Sequence, residues 1–130
     1  TVLHYTANNA PIADGDLIVI DSGACYQGYT ADVTRTIPAN GRFSKRQKEI
    51  YELVLKALLA SLKVAKAGCT FAEIDKASRE IIAKAGYGDR FFHGIGHHLG
   101  HQSLLLSCEF GIILDFCHLS RAELDVVREV

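Results

Sequence analysis

Two aspartates, Asp21 and Asp32, stand eleven positions apart in the stretch IDSGACYQGYTAD. Further on, His93, His97, His98 and His101 fall within the nine residues HGIGHHLGH, among three glycines. Carboxylates brought close together repel each other unless a cation or a shared proton compensates. Imidazole is a good ligand for manganese, iron, cobalt or zinc, and glycine permits close approach of the backbone. Three readings of the acids stay open: a metal site, a proton-sharing dyad, and a solvent-facing pair beside Thr30 and Thr34. Each histidine taken singly reads as a surface or packed residue, and the cluster points to metal or catalysis. In an extended segment His93 and His97 share a face and His98 does not, which divides one ligand from one substrate-contacting base. Two acids and one imidazole are too few ligands for two metals, so such a site requires further carboxylates.

The elements that must position these groups are legible in the pattern. Residues 17–23 predict a strand, β-branched at positions 18–20, and residues 29–37 predict a second. The second alternates, with Thr30, Asp32, Thr34 and Thr36 on one face and Ala31, Val33, Arg35 and Ile37 on the other. A two-residue loop at Tyr26 and Gln27 would set Asp21 opposite Asp32, about 5 Å apart. Ser44 caps a helix running to about residue 67, with Ile50, Leu53, Val54, Ala57, Leu58 and Ser61 as its buried stripe. Gly68 stops it. Thr70 and Glu73 form a capping box for a second helix, whose apolar side is Ile74, Ala77, Ile81 and Ile82. The histidine segment reads as a loop feeding a strand. Residues 104–119 read as one or two short strands. Ser120 and Glu123 open a terminal helix containing Leu124 and Val127. The resulting class is α+β, with antiparallel pairing at the start.

The 130 residues suffice for one domain with a core, at 48% hydrophobic and 22% charged. The formal charge of −1, with no block of lysine and arginine, gives no nucleic-acid surface. Arg42, Lys45, Arg46 and Lys48 read as a solvated helix start. No apolar run is long enough for a membrane helix, since Glu109 and Asp115 interrupt residues 104–119. Cys25, Cys69, Cys108 and Cys117 are widely spaced and fit reduced thiols in a cytoplasmic protein. There is no GxSxG motif, no full Gly-rich nucleotide fingerprint, and no support for a thiol nucleophile.

Residues 2–100, through DSG, the second aspartate, TRT, the N-G-x-F segment and HGIGH, resemble the catalytic domain of Xaa-Pro aminopeptidase (aminopeptidase P). That family belongs to the pita-bread metallopeptidases, with prolidase and methionine aminopeptidase. The resemblance implies a strongly curved antiparallel sheet with flanking helices. It also implies a centre of two divalent ions, manganese in this branch. Asp21 would bind one metal, Asp32 would bridge both, and His97 would be the imidazole ligand. His93 and His4 would line the substrate pocket, His93 helping to hold the peptide or the tetrahedral intermediate. The implied reaction is metal-assisted hydrolysis of the bond before a proline in the second position of a peptide.

The remainder, 101–130, departs from that family. Its two glutamate ligands, in segments resembling T-V-E-P-G and R-x-E-D, have no counterpart in HQSLLLSCEFGIILDFCHLSRAELDVVREV. Neither Glu109, Glu123 nor Glu129 has the family surroundings, and His101 comes too early for the family's further histidine. The chain, which starts at Thr1, reads as a single incomplete catalytic domain: a truncated or frameshifted product, a fragment with an altered tail, or a short homologue. Two expectations follow. One is a manganese-dependent Xaa-Pro aminopeptidase. The alternative is a catalytically inactive module that binds a peptide or a partner protein. An incomplete domain would also self-associate through residues 104–119.

Overall fold

A computed structural model describes residues 6–91, 93–98, 110–111 and 127–129 of the chain. Four short strands come first: β1 (Leu17–Ser22), β2 (Cys25–Tyr26), β3 (Tyr29–Thr30) and β4 (Val33–Pro38). Two helices follow, α1 (Lys45–Val64) and α2 (Phe71–Lys84), then a 3-10 turn at Gly88–Arg90. The last elements are β5 (His97–His98), β6 (Phe110–Gly111) and β7 (Val127–Glu129).

The first hairpin is as expected in its faces and differs in its register. Its loop is Gln27–Gly28, where φ is 50° and 85°. A type I′ turn needs positive φ at both central residues, and glycine adopts it freely. Placing the loop one residue later moves every pair by two. Cys25 therefore faces Thr30, and Asp21 faces Thr34 rather than Asp32. Parity is unchanged, so Asp32 stays on the side of Asp21. Leu17 and Val19 are buried on this side, while Ile20, Val33 and Ile37 remain exposed on the other.

The strongly curved antiparallel sheet expected for the family is not what these residues form. Among the described residues the strands fall into three small sheets, the largest an open one ordered β4-β1-β7. It is mixed: β1 runs antiparallel to β4 and parallel to β7. β5 and β6 form a separate antiparallel pair. Val127–Glu129 also replaces part of the expected terminal helix with a strand beside Leu17–Val19. Position 127 is β-branched, which suits an extended backbone as well as a helix face, and pairing to β1 decides between them.

The helices follow their sequence signals. Ser44 and Gln47 form a full capping box rather than a single cap, and the buried Gln47 also donates to the Gly15 carbonyl at 2.8 Å. This bond ties the start of α1 to the loop before β1. Asp16, buried in that loop, accepts from the Ala13 amide at 2.8 Å. The core lies between the helices, where Ala57 of α1 meets Ile74 and Ile82 of α2, with Phe91 and Ile95 completing it. Ser61 crosses between helices by donating to the Ile74 carbonyl at 2.9 Å. No described helix is long and apolar enough to cross a membrane.

Thr70 and Glu73 close the predicted box at α2: the Glu73 carboxylate accepts from the Thr70 amide at 2.7 Å. Thr70→Ala is expected to lower stability by about 1 kcal/mol, read as a shift in the urea midpoint. The bond holds Glu73 below its ordinary carboxylate range. Its contribution is therefore complete above that range and is lost as pH falls through the lowered value.

Candidate functional site

The site is built where the hairpin is pinched. At Gly23 a Cβ would lie 1.8 Å from the Ala31 carbonyl oxygen and 3.4 Å from the Asp32 Cα. Only glycine lets the two strands approach so closely, which gives the DSG triplet a steric reason. Just beyond the pinch, the Ala31 amide donates to the Ala24 carbonyl at 2.9 Å, continuing the register. The pinch separates β3 from β4, so the predicted second strand is two pieces with Ala31 and Asp32 between them.

Asp32 is thereby turned to two partners. Its Oδ2 lies 2.8 Å from His97 Nε2, and Asp21 is close enough to act on the same carboxyl. Asp21 in turn accepts from the Thr34 hydroxyl at 2.7 Å, the residue opposite it in the ladder. Burial pushes the Asp32 carboxyl above its ordinary value. The hydrogen bond and charge of Asp21 add to the rise, and His97 opposes it. Asp21, Asp32 and His97 thus lie together around the Asp32 carboxyl.

A carboxyl whose folded-state pKa is raised binds its proton more readily in the folded chain. Stability then falls as pH rises from the ordinary aspartate range through the raised value. Asp32→Asn keeps an acceptor and gains a donor, so it is expected to flatten that fall. Urea midpoints measured from acidic to neutral pH check this, and an unchanged slope in the variant would contradict it.

His97 reaches Asp32 from the far end of a segment anchored in the core. Phe91 and Ile95 are buried, at 8% and 4% exposure, and lie on either side of His93. His93 is half-buried; its Nδ1 lies 2.6 Å from the Gly94 carbonyl, and its ring is 6.2 Å from that of Phe91. The structure therefore places the His93 ring against its own segment. His97 begins β5 and pairs with Gly111. His4, His101, Glu109 and Glu123 lie outside the described residues.

Among the described residues, no group of three or more histidine, cysteine, aspartate or glutamate side chains could hold a metal ion. The donors the sequence nominates are engaged with one another and with Thr34. Two carboxylates and one imidazole also leave half of the charge of two divalent ions uncompensated. The donor set of the described residues therefore does not fit a two-metal centre, and the expectation of metal-dependent hydrolysis before proline is corrected.

The family profile of metallopeptidase family M24 matches residues 1–110. The Xaa-Pro dipeptidase of Pyrococcus furiosus is 47% identical over 97 residues, covering 75% of this chain and 28% of the relative. The Xaa-Pro aminopeptidase of Escherichia coli is 38% identical over 117 residues, covering 76% of this chain and 26% of the relative. Among solved structures, the prolidase from Pyrococcus furiosus superposes with a TM-score of 0.70 at 41% identity, covering 86% of this chain and 34% of that one. The X-Pro aminopeptidase from Thermotoga maritima gives 0.70 at 43% identity, covering 75% and 27%. The chain belongs to metallopeptidase family M24. It spans little more than a quarter of the length of these curated relatives.

Proposed function

We propose that this chain is a catalytically inactive member of its family that binds peptides. The observation that carries the reading is the contact of Asp32 with His97 beside Asp21, which stands where the family resemblance puts metal ligands while the described residues offer no metal-holding group. Paired carboxylates suit the α-ammonium group of a peptide, through charge-assisted hydrogen bonds. His93 would contact the bound chain. The names of the relatives, Xaa-Pro dipeptidase and Xaa-Pro aminopeptidase, make peptides with proline in second position the ligands to test first. A second reading, a partner protein or a second copy, is favoured by the exposure of Ile20, Val33 and Ile37 on one face of the hairpin. The free thiols of Cys25 and Cys69 fit a cytoplasmic setting.

Calorimetry with manganese and with an Ala-Pro peptide separates the outcomes. The expected result is no manganese binding tighter than about millimolar, no cleavage, and peptide binding that Asp21→Asn removes. Manganese-dependent cleavage abolished by Asp32→Asn would refute the inactive reading. Absence of peptide binding, with association that grows with protein concentration, would favour the second reading.

A further inference from the structure

Four ion pairs on the helices join residues three or four apart at 3.5–4.0 Å, all well exposed: Arg46 with Glu49, Lys48 with Glu52, and Lys76 and Lys84 with Glu80. Pairs of this kind are ordinary solvated contacts. Arg79 is different. Asp75 takes its guanidinium in a two-point grip, Nε to Oδ2 at 2.7 Å and Nη2 to Oδ1 at 3.0 Å. The rest of the fork leaves the helix. Nη1 donates to the Phe91 carbonyl, and Nη2 donates to the His93 carbonyl at 3.0 Å. The guanidinium also lies 4.5 Å from the centre of the Phe91 ring. Asp75 is 23% exposed and Arg79 37%, so the grip is partly sheltered from water.

Both of these donated bonds end on main-chain oxygens. They fix the peptide units that follow residues 91 and 93, and with them the direction in which the backbone leaves toward His97. A planar guanidinium can hold a carboxylate and two carbonyls at once, whereas an ammonium is a single point of charge. We infer that Arg79, oriented by Asp75, is the positioning residue of the histidine segment. Acting through the backbone of Phe91 and His93, it holds His97 within hydrogen-bond distance of Asp32. The role is independent of whether the site binds a peptide.

The test is NMR of the full chain with 15N-labelled histidine, with amide exchange read over residues 93–98. Arg79→Met keeps an apolar stem and removes the fork. It is expected to shift the ring nitrogens of His93 and His97 and to speed exchange in the segment by about tenfold or more. Arg79→Lys keeps the charge and is expected to leave both changes in place. Thr70→Ala, which loosens the start of α2 away from the segment, serves as the control and is expected to leave the ring signals where they are. The inference is overturned if Arg79→Met leaves the His97 ring unchanged, if Arg79→Lys restores it, or if Thr70→Ala moves it equally. Should Arg79→Met not fold by circular dichroism, Arg79→Lys against Thr70→Ala decides alone.

Discussion

Gly23→Ala is expected to cost about 3 kcal/mol or more, and to lose the contact between Asp32 and His97 along with that stability. The added carbon would sit 1.8 Å from the Ala31 carbonyl oxygen, a main-chain atom that no rotamer change can move. The strands would have to separate at the point where Asp32 is turned toward Asp21. Domains of this kind are stable by only about 5–15 kcal/mol, so such a loss is a large share of the whole. Urea unfolding measures the first effect, and the ring signals of His97 measure the second. A loss below about 1 kcal/mol would show that the pinch relaxes readily and that the DSG glycine has another reason.

Ile95→Ala should be nearly as costly, at about 3 kcal/mol. Ile95 is 4% exposed and packs in the cluster of Ala57, Ile74, Ile82 and Phe91, where a truncated side chain leaves a cavity. It lies two residues before His97, so the loss is not confined to packing. The variant is expected to weaken the helix core and loosen His97 together, whereas Arg79→Met moves mainly the histidine segment. Urea midpoints set beside the His97 ring signals check the contrast. Equal profiles for the two variants would mean that the segment is held by its apolar anchors alone.

Much of this arrangement could be read before any coordinates. The helices announced themselves through Ile50, Ala57, Ile74 and Ile82 at helical spacing and through the Thr70–Glu73 box, all local signals that packing then reinforced. The pairing of strands around Tyr26–Tyr29 was legible too, but its register hung on which residues take positive φ. Gly28 was the better marker, and choosing Tyr26–Gln27 as the loop set Asp32 opposite Asp21 one pair too early. Asp21, Asp32 and His97 are brought together, and their partners are the part that residue types do not reveal. A list of acids and imidazoles shows which groups could bind a metal; it does not show that Asp21 accepts from Thr34 or that Asp32 lies 2.8 Å from His97. Arg79 was missed altogether. Its spacing from Asp75 is that of a routine helical pair, and nothing local to α2 reveals that the side chain reaches a loop twelve and fourteen positions away.

The bond between Asp32 and His97 also bears on how the chain reaches its folded form. It joins residues 65 positions apart, so the chain between them must be ordered before the bond can form at little entropic cost. Most of that interval is α1, α2 and the short turn joining them, whose contacts are local and quick to form. Once those helices are zipped together by Ser61, Ala57 and Ile74, only short ends remain to be brought together, and the hairpin has meanwhile closed on its own turn. The helix pair is thus the splint across which the two ends of the site meet. The helices and the hairpin are therefore expected to form separately, with the docking of His97 on Asp32 following them.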